Sequence, residues 1–383
     1  MRNYRYRIYP RAREQAALWG VLRLHREVYN AALQERRDAW RKCGVSVSFN
    51  MQSAQIKEIR AIREDVAALN FSSIQQTLRR LNKAFASFFR RVKAGQTPGF
   101  PRFKGADRFR SVSFVYGDGC KVRTDNQGRR CMYVQGVGAL KVKWHRDVPE
   151  DARIKQVQII VDGRNRWFVT FALEAPAEAF ARPATGTGEI GIDVGIEKFA
   201  ALSDGTFIAN PRFYLEAQDR LAAAQQTVAR RRRGSRRHRK AKAAAARIQS
   251  KTAEQRRDFH HQVSSRLVNT YGFIAVENLN IRGLARGMLA KSVHDAGWAQ
   301  FISFLKYKAV SAGTRVEEVN AAGTSQTCPK CDATAKKDLS ERVHTCPCGC
   351  RMDRDTAASL VILARGQSAW TGPPATTAVK AAA

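Results

Sequence analysis

The stretch EIGIDVGIEKFAALSDGTFIAN, Glu189–Asn210, decides how the second half of the chain is built. Ile190, Ile192 and Val194 make an apolar strand, a second apolar strand returns from Phe199, and Asp204-Gly205 supplies a turn. Asp193 sits near the end of that first strand, which is apolar enough to be central in a sheet. A carboxylate there is costly unless it is paired or faces a cation.

Two further segments repeat the anomaly. In GFIAVENLNI, Gly272–Ile281, Glu277 ends another apolar strand, and in RMDRDTAASLVIL, Arg351–Leu363, Asp353 and Asp355 open an apolar helix. A single aspartate at such a place is commonly a turn former or a helix cap, and Asp355 alone would cap the last helix. Two strand-end carboxylates and one helix-borne carboxylate, in this chain order, describe a ribonuclease H-like nuclease site. Clustered carboxylates suit two Mg²⁺ ions about 4 Å apart, one activating a water and one stabilising a leaving oxygen.

Between the second and third acids lie five of the eight cysteines. Cys328 and Cys331 have C-x₂-C spacing, and Cys346, Cys348 and Cys350 follow about fifteen residues on, the pattern of a Cys₄ zinc ribbon. Cys348 and Cys350 compete for the fourth place, with His344 a weaker candidate. A closed Cys₄ site has no open position, so this zinc reads as scaffold. Cys43, Cys120 and Cys131 are scattered and read as inert.

Lysine and arginine number 67 against 33 aspartate and glutamate, a net charge of +34 over 383 residues. Such an excess points to a polyanion, nucleic acid ahead of a membrane surface. No apolar run of about 18 residues appears, and MRNYRYRIYP lacks the apolar core of a signal peptide, so the expected place is the cytoplasm, at the nucleoid. The first half reads as a strand (YRYRIYP), a helix over Arg13–Gly44 and a second helix ending at Gly95. From Ser111 to Glu174 the period changes to two, with a hairpin expected at Asp162-Gly163.

With these residues in hand, the sequence resembles the TnpB family, transposon-encoded RNA-guided DNA nucleases related to type V CRISPR effectors and Fanzor proteins. RIYPRAREQAALWGVLRLHREVYNAAL, GFPRFK, GIDVGIEKFAALSDG, VENLNIRGL, SVHDAGWAQFISFLKYKA, TSQTCPKC and CGCRMDRDTAASL carry the resemblance over nearly the whole chain. It implies a multidomain α+β protein: a helical recognition lobe and a β-barrel wedge, then a RuvC domain of ribonuclease H-like α/β fold with an inserted zinc ribbon. The implied boundaries are 1–10 (first wedge strand), 11–110 (recognition), 111–180 (wedge), 181–323 (RuvC), 324–350 (zinc ribbon), 351–367 (last RuvC helix) and 368–383 (disordered tail). Carried over by position, the catalytic, magnesium-binding residues are Asp193, Glu277 and Asp355, with Cys328, Cys331, Cys346 and Cys348 on zinc. Ala357 stands where the family carries asparagine, and Asp332 where it commonly has glycine. The implied partners are a guide RNA from the transposon end and double-stranded DNA cut beside a short flanking motif, with no membrane and a monomeric or weakly dimeric protein.

Nucleic-acid contacts are expected at three places. Arg230, Arg231, Arg232, Arg233, Arg236 and Arg237 form the densest basic run, suited to phosphate. Phe100, Arg102, Phe103 and Lys104 interleave aromatic and basic residues, for bases or simply for loop anchoring. Tyr4, Arg5 and Arg7 are candidates for the guide or the flanking motif. Two other readings compete with a guided endonuclease: a guided repressor that binds without cutting, and a guide-free resolvase or transposase.

Overall fold

The computed structural model describes residues 1–125, 127–336, 338 and 341–369. Most of the tail expected to be disordered, 370–383, lies outside the described residues. The chain divides into two compact units, Met1–Ala179 and Phe180–Ala383.

The first unit begins with β1 (Arg2–Ile8) and α1 (Ala12–Cys43). Pro10 separates them, and Glu14 accepts the Arg11 amide at 2.7 Å to start the helix. Gly44, at φ +66°, ends it in the left-handed conformation that glycine adopts without penalty. Short helices α2 (Phe49–Ala54), α3 (Ile56–Ile62) and α4 (Glu64–Ala67) lead to α5 (Phe71–Lys93). Leu18, Leu22, His25, Tyr29 and Leu33 of α1 are buried at helical spacing. His25 bonds Thr77 at 2.8 Å and Ser73 at 3.2 Å, so this core histidine is satisfied.

Six further strands follow: β2 (Ser111–Val115), β3 (Cys120–Thr124), β4 (Arg130–Val134), β5 (Gly138–Lys143), β6 (Arg153–Val161) and β7 (Trp167–Glu174). They join β1 in an antiparallel sheet of order β2-β6-β7-β1-β5-β4-β3. The sheet curls until Phe114 of β2 and Val134 of β4 line one small void with Leu18 and Leu22 of α1. Its edges β2 and β3 do not pair, so the barrel implied by the resemblance is a near-barrel, plugged by a helix instead of closed by a ladder. In the β6–β7 turn the left-handed residue is Asn165, at φ +58°, and not Gly163. Asp162 fixes that turn by accepting the amides of Arg164 and Arg166, both at 2.9 Å.

In the second unit β8 (Gly188–Val194), β9 (Lys198–Leu202) and β10 (Phe207–Ala209) form an antiparallel meander. Helices α6 (Phe213–Ala229) and α7 (Arg236–Thr270) lead to β11 (Tyr271–Asn278), which lies parallel to β8. After α8 (Ile281–Leu284), α9 (Ala290–Ala296) and α10 (Trp298–Ala312), β12 (Arg315–Asn320) lies parallel to β11. The order is β10-β9-β8-β11-β12. A hairpin of β13 (Val343–Thr345) and β14 (Arg351–Asp353) then delivers the chain to α11 (Arg354–Ser368). Strand alternation divides the core. Ile190, Ile192, Ile274 and Val276 pack with α7, α9 and α10 on one face, while Phe273 and Ala275 meet Ile362 of α11 on the other.

Gly191 is what lets α11 approach. A Cβ there would stand 2.0 Å from the Ser359 carbonyl oxygen and 2.8 Å from the Leu363 amide nitrogen. Gly191→Val therefore pushes α11 off the sheet, at a cost of about 1–3 kcal/mol or more. The expected result is a lower urea midpoint with an unchanged slope; an unchanged midpoint would disprove this packing.

Candidate functional site

Alternation and register together assemble the acids. Ile192 of β8 lies beside Val276 of β11, so Asp193 and Glu277 are the next residues along two parallel neighbours, at their C-terminal ends. Both belong to the face that carries Gly191, Phe273 and Ala275, the face α11 covers. Asp355 lies in the first turn of α11. The cap of that helix is Asp353, which accepts the amides of Asp355 at 3.0 Å and Thr356 at 3.1 Å. Asp353 also receives Lys198 Nζ at 3.0 Å. With the capping role filled by Asp353, the Asp355 carboxylate is not needed for it.

The electrostatics are dominated by burial of carboxylates, with like charges adding to it at Asp193. Burial pushes the Asp193 carboxyl up to about 8, and Glu277, Asp355 and Asp353 push the same way, with Arg354 opposing them. Glu277 is 7% exposed and accepts a hydrogen bond from the Thr324 hydroxyl. Burial raises its pKa too, against Thr324 and Arg365. Burial acts in the same sense on Asp353, but Lys198 and the helix amides outweigh it and hold that carboxyl low. Thr324 and Lys198 were not singled out from the sequence, because their contacts join segments 47 and 155 residues apart.

Among the described residues, the only metal-ligating groups of three or more whose donor atoms all lie within 4.8 Å are built on cysteines. The carboxylates are therefore more widely spread than a cage for one ion. Cys328, Cys331, Cys346 and Cys348 form the first cysteine group and can hold a tetrahedral zinc. Cys328 Sγ stands 3.7 Å from Cys348 Sγ, and Cys331 Sγ 3.5 Å from Cys346 Sγ. Cys350 instead falls with Cys328 and His344 in a second group of three. The knuckles are turned by residues in left-handed conformations, Asp332 at φ +57° and Gly349 at φ +84°. The first of these explains why glycine suits the place that Asp332 occupies.

The expected nucleic-acid residues are dispersed. Arg230 to Arg233 lie in the break between α6 and α7, and Arg236 and Arg237 in the first turn of α7; all six are exposed. Basic side chains at a helix N-terminus oppose its dipole, so the fold gains nothing from them there. Tyr4 is buried in the near-barrel with the Arg146 guanidinium 4.3 Å above its ring, a packing role. Arg5 and Arg7 lie on the opposite side of β1, over Phe168 at 3.8 and 5.1 Å. Phe100 and Phe103 are 46% and 43% exposed, whereas Phe109 of the same loop is core. The loop is pinned where the Lys104 amide and carbonyl both bond the Asn30 side chain, at 2.8 and 3.0 Å; Arg102 is exposed. No helix among the described residues is long and apolar enough to cross a membrane.

The fold, an α/β unit following a unit with a near-barrel sheet, resembles that of type V (Cas12) effectors. The chain matches the Cas12f1–guide RNA–target DNA complex with a TM-score of 0.55 at 14% identity, over 90% of this chain and 81% of that one. It matches the mini RNA-guided endonuclease Cas_phi3 at 0.51 and 10% identity, over 97% and 93%. Family models match at residues 168–288 ("Probable transposase", OrfB of IS605), 298–362 ("Cas12f1-like, TNB domain") and 1–44 ("Helix-turn-helix domain"). Residues 1–44 here form β1 and α1, with no turn between two helices. A "Putative RNA-guided DNA endonuclease" of Streptomyces pristinaespiralis is 34% identical over 96% of this chain and 90% of its own length. Another, InsQ of Escherichia coli K12, is 25% identical over 90% and 87%. The chain belongs to the TnpB (OrfB) family.

Proposed function

We propose that this chain is an RNA-guided endonuclease of double-stranded DNA, with a transposon-end guide RNA and a short flanking motif beside the target. Residues 181–323 and 351–367 are read as a RuvC nuclease domain of ribonuclease H-like fold, interrupted by a zinc ribbon over 324–350. The recognition lobe (11–110) and the wedge (1–10 with 111–180) precede it. The observation that carries this reading is the convergence of Asp193, Glu277 and Asp355 from three distant segments on one face of the sheet, where burial, reinforced by the neighbouring carboxylates, pushes Asp193 up to about 8. The sheet order β10-β9-β8-β11-β12, with only β9 reversed, supports the same fold.

An all-oxygen donor set with a shortage of positive charge fits magnesium. Asp193, Glu277 and Asp355 would hold two magnesium ions, which when bound would supply a nucleophilic water and charge neutralisation at the departing oxygen. The protein's own residues prepare the site. Thr324 orients Glu277, and Asp353 fixes the first turn of α11, so that Asp355 is presented in one geometry. The exposed arginines from 230 to 237 are read as phosphate contacts that set affinity and not sequence choice, which guide pairing supplies.

Expressed with its native downstream flank and purified in high salt, the protein should retain one discrete RNA. That RNA, reprogrammed, should direct cutting of matching duplex DNA only with magnesium. A zinc-loaded protein that carries no specific RNA would sink the guided reading. A monomer or weak dimer is expected in sedimentation.

A pH dependence follows from the same site. Between 3.8 and about 8 the folded chain keeps a proton on Asp193 that the unfolded chain has released. Its contribution to stability is therefore complete below about pH 4 and is lost as pH rises through the folded value. Dialysed free of magnesium with its zinc retained, the protein should have a lower urea midpoint at pH 8 than at pH 5. Asp193→Asn should shrink that difference; an equal drop in the variant would assign it elsewhere.

A further inference from the structure

The unit Met1–Ala179 contains an open concavity of about 820 Å³ between the C-terminal parts of α1 and α5, the segment before α2 and the 96–110 loop. It shares no residue with the carboxylates or the cysteines, and its size is in the range of small-ligand sites, about 300–1,000 Å³. Six aromatic residues line it. Phe100 stands edge-on to Phe85 at 5.6 Å and to Phe88 at 5.4 Å, and Phe88 meets Phe89 at 5.1 Å. Trp40 and Phe89 are 64% and 60% exposed, a large apolar surface left to water.

Three arginines and no carboxylate line the same concavity. One of them, Arg36, is only 8% exposed. Its Nε donates to Gln52 at 2.8 Å and its Nη1 to Asn82 at 3.2 Å, while Nη2 is buried without a hydrogen-bond partner. A buried guanidinium with an unused donor is expensive in a fold that could have placed a neutral residue there. Arg41 makes no ion pair among the described residues, and Arg37 pairs with Asp38 at 3.4 Å. Flat π-faced walls select a flat ligand, and the positive charge that Arg36 and Arg41 add beyond the Arg37–Asp38 pair selects an anionic one. A second copy of a chain of net charge +34 brings charge of the wrong sign.

We propose that this pocket takes an unstacked base of single-stranded nucleic acid, with Trp40, Phe89 and Phe100 against the base and the arginines toward its phosphates. The inference deepens the reading of the chain as a nucleic-acid enzyme by naming a base-binding place that is independent of the cutting site. Base faces are free only in an unpaired strand, and stacking tolerates any base.

The test uses the full chain and a 12-nucleotide uridine RNA carrying 4-thiouridine. On irradiation, adducts are expected on the peptides that hold Trp40, Phe89 and Phe100. The variant Trp40→Ala/Phe89→Ala removes two exposed rings and no charge. Its affinity for the RNA should fall about 5- to 150-fold, the range for one stacked base. The slope of affinity against salt should stay the same, because no phosphate contact is removed. An abasic 12-mer should bind parent and variant alike. Adducts confined to other peptides, equal affinities, or a self-association in sedimentation that the variant abolishes would each overturn the assignment. A protein with these adducts that neither carries a guide nor cuts keeps the pocket and loses the guided reading. A guided, cutting enzyme without them does the reverse.

Discussion

Asp193→Ala should lower guided cleavage by about a thousandfold or more while RNA retention and target binding stay within about twofold. The loss corresponds to the several kcal/mol of transition-state charge stabilisation that a metal site provides. Asp193 is the centre of the group, because Glu277, Asp355 and Asp353 all act on it. Without it the site keeps carboxylates from β11 and α11 but nothing from β8 between them. The same change relieves like-charge repulsion, so the magnesium-free variant should be more stable than the parent at pH 8. Activity and stability moving in opposite directions separate a catalytic carboxylate from a structural one. A gel-based cleavage assay with a binding assay on the same preparations, followed by urea titration, reads all three. A guided repressor would bind as before and show no cleavage to lose.

Loss of the zinc should be as damaging to cutting, by a different route. The ribbon lies between Thr324, which bonds Glu277, and Asp353, which caps the helix carrying Asp355. Structural zinc sites contribute about 10–16 kcal/mol of apparent binding energy in isolated fingers, far more than this short β13–β14 hairpin could supply by packing. Cys331→Ser, or chelation at mildly acidic pH, should release one zinc per chain, expose the backbone of β13 and β14 to hydrogen exchange, and abolish cleavage. Adding zinc back should restore the chelated protein. Cys350→Ser is the informative control. Cys348 completes the group of four and Cys350 does not, so that variant should keep its zinc. Loss of zinc from Cys350→Ser with retention in Cys348→Ser would reverse the ligand assignment.

Much of this architecture is local information. The apolar runs at Ile190 and Phe273, the α1 stripe from Leu18 to Leu33 and the paired cysteines are patterns of period 2, period 3.6 and fixed spacing, and each is readable without a partner. Asp193 and Glu277 stood out for the same reason, since a charge at the end of an apolar strand contradicts its surroundings wherever the strand lies; Asp355 stood out as an acid opening an apolar helix. Helices α2 to α4 were not foreseen, because short amphipathic pieces carry too few turns for a clear period.

The arrangement of those pieces depended on tertiary structure. Only the register of β8 against β11 brings Asp193 beside Glu277, and only the close approach allowed at Gly191 lays α11 across them. Asp353 takes the capping role through the amides of Asp355 and Thr356, and its other oxygen meets Lys198, which arrives from a strand 155 residues away. Burial likewise separated three phenylalanines of one loop, leaving Phe100 and Phe103 exposed and Phe109 in the core. Composition marks which residues are costly to bury, but the neighbour that offsets the cost comes from a distant segment, and only the folded chain brings the two together.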